Sequence, residues 1–233
     1  MQTATYHQRR GQIETYFDRT AADAWARLTS DAPVSRIRAT VREGRDRMRA
    51  TLLSWLPDDL RGLRVLDAGC GTGALAVEAA RRGADVVAID VAPTLIELAR
   101  ERSPRDLGAG SISFHVGDML DPALGRFDHV VAMDSLIHYR AEDCVGAVSA
   151  LAARTRGSIV FTFAPRTPAL AAMHAVGRLF PRAERAPSIQ PVSELAMQRM
   201  LRETPSLAGW RPGRTLRIAS GFYKSQANEV CAS

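Results

Sequence analysis

Val65-Leu66-Asp67-Ala68-Gly69-Cys70-Gly71-Thr72-Gly73 is the stretch that decides the fold. An apolar run meets a carboxylate and three alternating glycines, and a helix-forming run begins at Ala74. Glycines in a strand-to-helix turn permit unusual backbone angles and let a ligand approach the main chain closely. The residues alone leave the ligand open, because Gly69, Gly71 and Ala74 also satisfy the G-x-G-x-x-A dinucleotide pattern.

Outward from this turn, short apolar runs at 64–68, 85–90, 111–116, 127–133 and 158–163 alternate with helix-like stretches at 74–82, 93–102 and 142–153. That alternation predicts parallel strands with helices on both faces. Near the C-terminus, 215–220 and 222–228 are joined through Gly221. Two strands with so short a link are antiparallel. The first 64 residues read as helices. Ile13, Phe17, Ala21, Ala24 and Leu28 form a stripe, with Tyr16 and Trp25 beside it. Ser30-Asp31-Ala32-Pro33 breaks the pattern, and Pro33 is expected to open a second helix carrying Ile37, Val41, Met48, Leu52 and Trp55 as far as Pro57. The expected organisation is a helical arm or lid over 1–60 and an α/β domain over 61–233. A further amphipathic stretch at 169–180, with His174 inside it and Arg178, Arg182 and Arg185 close by, reads as core, lid or membrane-surface helix.

The 233 residues are 46% hydrophobic and 24% charged, an ordinary globular balance, and no apolar run approaches the roughly 20 residues of a membrane span. The start of the chain lacks the apolar stretch of a signal peptide. Cys70, Cys144 and Cys231 are too scattered for a disulfide framework or zinc knuckle, which points to reduced thiols and a cytoplasmic setting. His7, His115, His129, His138 and His174 lack ligand spacing, so no protein-bound metal is expected. The net charge of +6 is unevenly spread. Residues 1–64 carry 12 basic and 8 acidic side chains, 65–150 carry 7 and 13, and 151–233 carry 12 and 4. Basic ends around an acidic centre could attract an anionic ligand or surface. Nucleic acid is not an expected partner, since basic and aromatic residues are not interleaved and no reader motif occurs.

Asp90 ends the second strand, 19 residues after Gly71, where a carboxylate can accept both hydroxyls of a ribose. Gly117-Asp118-Met119 follows the third strand, where Asp118 could meet an adenine amino group and Met119 the ring face. Both features support an adenosine-containing cofactor without choosing among candidates.

Asp67-x-Gly69-x-Gly71-x-Gly73, Asp90, Gly117-Asp118 and Phe127-Asp128-x-Val130-Val131 stand in the order typical of class I S-adenosylmethionine-dependent methyltransferases. The C-terminal hairpin is similar to that fold as well, and a nicotinamide enzyme would need neither it nor Asp67. Tyr16-Phe17-Asp18-Arg19-Thr20, Trp25-Ala26-Arg27-Leu28, Asp134-Ser135-Leu136-Ile137-His138-Tyr139, Phe163-Ala164-Pro165-Arg166-Thr167-Pro168, Leu179-Phe180-Pro181 and Gly221-Phe222-Tyr223-Lys224-Ser225 narrow the match. Together they resemble the magnesium-protoporphyrin IX O-methyltransferases over nearly the whole chain. One departure stands out: Thr29 occupies a position where many relatives carry an aromatic residue.

The resemblance implies a Rossmann-like α/β fold with a seven-stranded, mostly parallel sheet, an antiparallel last strand and an N-terminal helical cover. It implies S-adenosylmethionine bound by Asp67, Gly69, Gly71, Gly73, Asp90, Val91, Asp118, Met119 and Asp134. The implied reaction methylates one propionate of magnesium protoporphyrin IX in (bacterio)chlorophyll synthesis, with His138 and Tyr139 as catalytic candidates and Tyr16, Trp25 and Arg166 as substrate contacts. Arg166 lies just beyond a strand end and is the first choice for a propionate clamp. A propionate is already ionised at pH 7, so His138 is expected to orient the attacking oxygen more than to take a proton. The implied partners are a magnesium chelatase subunit and a peripheral contact with the photosynthetic membrane. Two competing functions stay open: methylation of a quinone-pathway or other small carboxylate substrate, and tetrapyrrole carriage without catalysis.

Overall fold

The sheet of this protein is ordered β3-β2-β1-β4-β5-β7-β6 in the computed structural model, which describes residues 2–19, 22–30, 33–166 and 189–233. Its strands are β1 (Arg64–Ala68), β2 (Asp85–Asp90), β3 (Ser111–Val116), β4 (Phe127–Ala132), β5 (Thr155–Phe163), β6 (Trp210–Ser220) and β7 (Tyr223–Ala232). β1 to β5 pair in parallel, and β7 inserts antiparallel between β5 and β6. This is the expected class I methyltransferase sheet. β6 and β7 run longer than the apolar pattern suggests. A register shift between Pro212 and Thr215 lets β6 pass a proline that cannot donate to the ladder.

Strand alternation gives the sheet one core on each face. Leu66, Ala68, Val87, Ile89, Val130 and Ala132 pack into one. Val65, Val86, Ala88 and Val131 pack into the other. Helices α1 (Ala4–Arg19), α2 (Ala22–Leu28), α3 (Arg36–Ser54), α4 (Ala74–Arg81), α5 (Pro93–Arg102), α6 (Ala141–Ala152) and α7 (Glu194–Glu203) surround it. The arm expected over 1–60 has no core of its own. Tyr6 and Ile13 join the first core, while Met48, Leu52 and Leu53 of α3 are fully buried in the second. Truncating Leu52 to alanine would cost about 2–5 kcal/mol on that burial.

α3 begins three residues later than Pro33 suggests. Ser35 caps it, its side chain accepting from the Arg38 N–H. α7 has no counterpart in the periodicity reading, although Ser193 caps it and Glu194 lies in its first turn. The expected helix at 169–180, His174, Arg178, Arg182, Arg185 and the motif residues Thr20, Thr167, Pro168 and Leu179-Phe180-Pro181 lie outside the described residues. Among the described residues, no helix is long and apolar enough to cross a membrane.

α1 is pinned along its length. Thr5 donates to Asp143 of α6 at 3.0 Å, and Thr3 donates to the same carboxylate. At the other end, Asp18 accepts from the Thr94 hydroxyl at 2.6 Å and the Thr94 N–H at 3.1 Å. α2 is held to α5 by Arg102, which donates to the carbonyl of Ala26 at 2.9 Å and to the Thr29 hydroxyl at 3.1 Å. The N-terminal helices therefore form a roof over the carboxyl ends of the strands.

Candidate active site

Under that roof lies a cavity of about 570 Å³, within the usual size of ligand pockets. Its floor is the glycine turn. Gly69 has φ +84°, and a Cβ there would come within 2.3 Å of the Ser135 side chain, so the β1 and β4 loops can meet only without one. Ser135 in turn donates to the Ala68 carbonyl at 2.7 Å. The turn is held by Asp90, whose carboxylate accepts from the Gly71 N–H at 2.9 Å and the Ala92 N–H at 3.0 Å.

Asp67, Gly69, Gly71, Asp90, Val91, Met119 and Asp134 all line the cavity. Gly73 instead opens α4 in the left-handed conformation. Asp67 is buried, and its Oδ2 has no hydrogen-bond partner among the described residues. Burial, then the neighbouring charge of Asp90, push its carboxyl up to about 7. Burial also raises Asp90. A buried carboxylate short of a partner, beside a second acid, fits the ammonium of S-adenosylmethionine, which would relieve the cost of burying Asp67.

Asp118 does not line the cavity. Its carboxylate is engaged by the Tyr6 hydroxyl at 2.7 Å, the Arg10 guanidinium at 2.9 Å and the Leu120 N–H at 2.9 Å. Met119 alone of that pair faces the ligand space.

Asp134 is a structural joint more than a free ligand. It is the one described non-glycine residue with positive φ, at 53°. Its N–H donates to Thr162 at 2.7 Å, and its carboxylate accepts from Arg45 at 2.7 Å, Tyr223 at 3.1 Å and Ser225 at 3.1 Å. Three elements, α3, β5 and β7, thus converge on one acid. The approach of Tyr223 depends on Gly44, since a Cβ there would lie 2.4 Å from the tyrosine ring. The turn at Asp134 leads into the short helix Leu136–His138, which aims His138 into the cavity. His138 is buried, with its ring 5.9 Å from that of Phe17.

Tyr139 lines the same space but is buried and stacked on Tyr6 at 4.9 Å between centroids. Burial raises both phenols further above their ordinary values. Tyr139 therefore packs the roof against the floor. Tyr16 and Trp25 lie in the cavity wall as expected, and Arg45 stacks over Trp25 at 4.6 Å. Thr29 lines the cavity too, its hydroxyl turned back to the Trp25 carbonyl at 2.8 Å.

Arg166 sits elsewhere. It is exposed and absent from the cavity lining, and its backbone N–H donates to the Val192 carbonyl at 2.9 Å. The cationic wall comes instead from Arg38, Arg42 and Arg45 of α3, with Lys224 opposite. Those arginines recur at four- and three-residue spacing, a one-face signal present in the sequence but hidden beside the apolar stripe.

Known proteins share this arrangement. Residues 132–232 match the family model "Magnesium-protoporphyrin IX methyltransferase C-terminus", and 65–157 match a general methyltransferase domain. The magnesium-protoporphyrin O-methyltransferase of Rhodobacter capsulatus is 55% identical over 96% of this chain and 97% of its own length. A solved magnesium protoporphyrin IX methyltransferase from Synechocystis PCC 6803, with bound SAH, superposes with a TM-score of 0.82 at 28% identity, covering 95% of this chain and 98% of that one. A ubiquinone biosynthesis O-methyltransferase of Xanthomonas oryzae is 36% identical, but over only 53% of the chain. The porphyrin-enzyme match, by contrast, spans nearly the whole chain. The chain belongs to the magnesium-protoporphyrin IX O-methyltransferase family.

Proposed function

We propose that this protein transfers the methyl group of S-adenosylmethionine to one propionate carboxylate of magnesium protoporphyrin IX, giving the monomethyl ester. The carrying observation is that one cavity joins Asp67, whose Oδ2 has no partner among the described residues, to His138 and the arginine wall of α3. S-adenosylmethionine, when bound, supplies an electrophilic methyl on a sulfonium whose departing thioether takes the C–S electron pair. Asp67 and Asp90 hold the cationic and ribose parts of that cofactor. Tyr16, Phe17 and Trp25 exclude water from above.

The acceptor needs no strong base, because a propionate of pKa about 4.3 is ionised at pH 7. His138 hydrogen-bonds one carboxylate oxygen and turns the other toward the methyl carbon. Alignment at about 3–3.5 Å supplies most of the rate, since it removes the entropy of bringing two partners together. The cavity has room for the cofactor and the reacting arm, so most of the macrocycle lies at the mouth, beside the exposed Ile37 and Phe222.

The same reading includes delivery of the insoluble substrate by a magnesium chelatase subunit and peripheral contact with a membrane. Support comes from the basic flanking regions of the chain. Flotation with anionic vesicles, with and without high salt, tests the membrane contact. Incubation with both substrates and mass measurement tests the reaction: a gain of one methyl is expected, and no gain across magnesium and metal-free porphyrins overturns the reading.

A further inference from the structure

Basic side chains of α3 that line the cavity differ in what they already hold. Arg42 donates to the carbonyls of Leu28 at 3.0 Å and Arg27 at 2.9 Å, Arg45 is paired with Asp134, and Arg49 with Glu78 at 2.5 Å and Asp46 at 3.0 Å. Arg38, nearest the helix N-terminus, is exposed and has no carboxylate within 4.0 Å among the described residues. Lys224 is the only lysine among 31 basic residues. It also lines the cavity, and among the described residues its ammonium meets only the Gly221 carbonyl, at 3.5 Å.

These two cations flank one seam. The β6–β7 turn packs on α3 through Ser220, which donates to Glu43 at 3.1 Å, and through Gly221 against Thr40. Next to them are two exposed apolar side chains, Ile37 at 55% and Phe222 at 50%. Glu43 and Asp46 are the acids on this stretch of α3, and each already has a partner in Ser220 or Arg49. Among the described residues, the mouth therefore presents apolar edges with two uncompensated positive charges, the complement of a flat apolar ring bearing an acid arm.

We propose that Arg38 and Lys224 form a second carboxylate subsite, which holds the propionate that does not react. The assignment rests on the substrate reading above. Arg38 offers a planar fork for a bidentate contact, and Lys224 a mobile point charge. With one arm fixed at the mouth, the other reaches His138 in a single register. The subsite also limits the enzyme to one transfer. The ester product can present its remaining acid to His138 only by placing a neutral ester between Arg38 and Lys224.

The test compares kcat/KM for magnesium protoporphyrin with that for a derivative whose non-reacting propionate is an amide. Wild type is expected to favour the diacid by about 100-fold, within the range of charge-assisted hydrogen bonds. Arg38→Ala and Lys224→Ala each lower that ratio about tenfold, the double variant brings it near one, and Lys224→Arg keeps most of it. A wild-type ratio near one, or a double variant that discriminates as well as wild type, overturns the subsite while leaving the reaction intact. Wild-type enzyme that methylates neither compound overturns the substrate reading and the subsite with it.

Discussion

The Tyr6 hydroxyl donates to the Asp118 carboxylate at 2.7 Å, bridging 112 residues of chain. Asp118 is the acid that sequence order offers to an adenine ring. In the folded protein it instead anchors the roof helix to the loop after β3, with Arg10 as a second donor.

This contact should set how often α1 lifts. Tyr6→Phe keeps the stacking on Tyr139 but removes the bond, at a cost of about 0.5–1.5 kcal/mol. Proteolysis within α1 should then accelerate roughly 2- to 12-fold under conditions where opening is a rapid equilibrium. An unchanged cleavage rate would show that stacking alone holds the roof.

Arg45 and Asp134 are a mostly buried pair, with 19% and 5% of their side chains exposed. Arg45→Ala strands an acid in the core and is expected to cost about 3–5 kcal/mol, lowering Tm by roughly 6–20 °C for a chain of this size. Adding Asp134→Asn removes the stranded charge and should recover at least half of that loss. Additive losses in the double variant would place the damage in the Trp25 stacking instead.

Asp67 makes cofactor binding depend on pH. Its folded pKa of about 7 lies above the ordinary carboxylate value. The ligand-free protein therefore binds a proton at this site on folding and loses stability as pH rises from about 4 to 7. An ammonium group beside Asp67 favours the ionised form, so binding releases that proton and strengthens as pH approaches 7. Calorimetry at about pH 6 in two buffers of different ionisation enthalpy should show close to one proton released. Identical heats would remove Asp67 from the cofactor site. Asp67→Asn should weaken cofactor binding about 10- to 150-fold and flatten the pH profile.

In the proposed reaction, His138 serves the acceptor end. His138→Ala should lower kcat about 10²–10⁴-fold, the usual range for a positioned catalytic side chain, with little change in cofactor affinity. His138→Asn can still hydrogen-bond. If it retains much of the activity, orientation is the role; if both variants fall equally, proton acceptance is. Wild-type turnover in the alanine variant would take His138 out of the mechanism.

The local pattern of the chain was enough to specify the sheet, the glycine turn and the cavity-lining Asp67 and Asp90. Each is set by neighbours in sequence: strand alternation, glycines where φ is positive, and an acid at a strand end. The roof and the cationic wall were only partly legible. Tyr16, Trp25 and His138 were legible only through the family resemblance, and all three line the cavity.

Arg166 and Asp118 could not be placed that way. Arg166 follows a strand end just as His138 does, yet it is exposed and outside the cavity lining, with its N–H bonded to Val192. Asp118 follows β3 as expected, yet its charge is taken by Tyr6 and Arg10, more than 100 residues earlier. The convergence of Arg45, Thr162, Tyr223 and Ser225 on Asp134 is likewise invisible in the sequence, because its members come from three separate elements. Sequence determined which groups the strand ends could present, since local backbone geometry follows local residues. Tertiary packing decided which of those groups remained free for a ligand, because a buried charge takes whichever partner folding brings within hydrogen-bond reach.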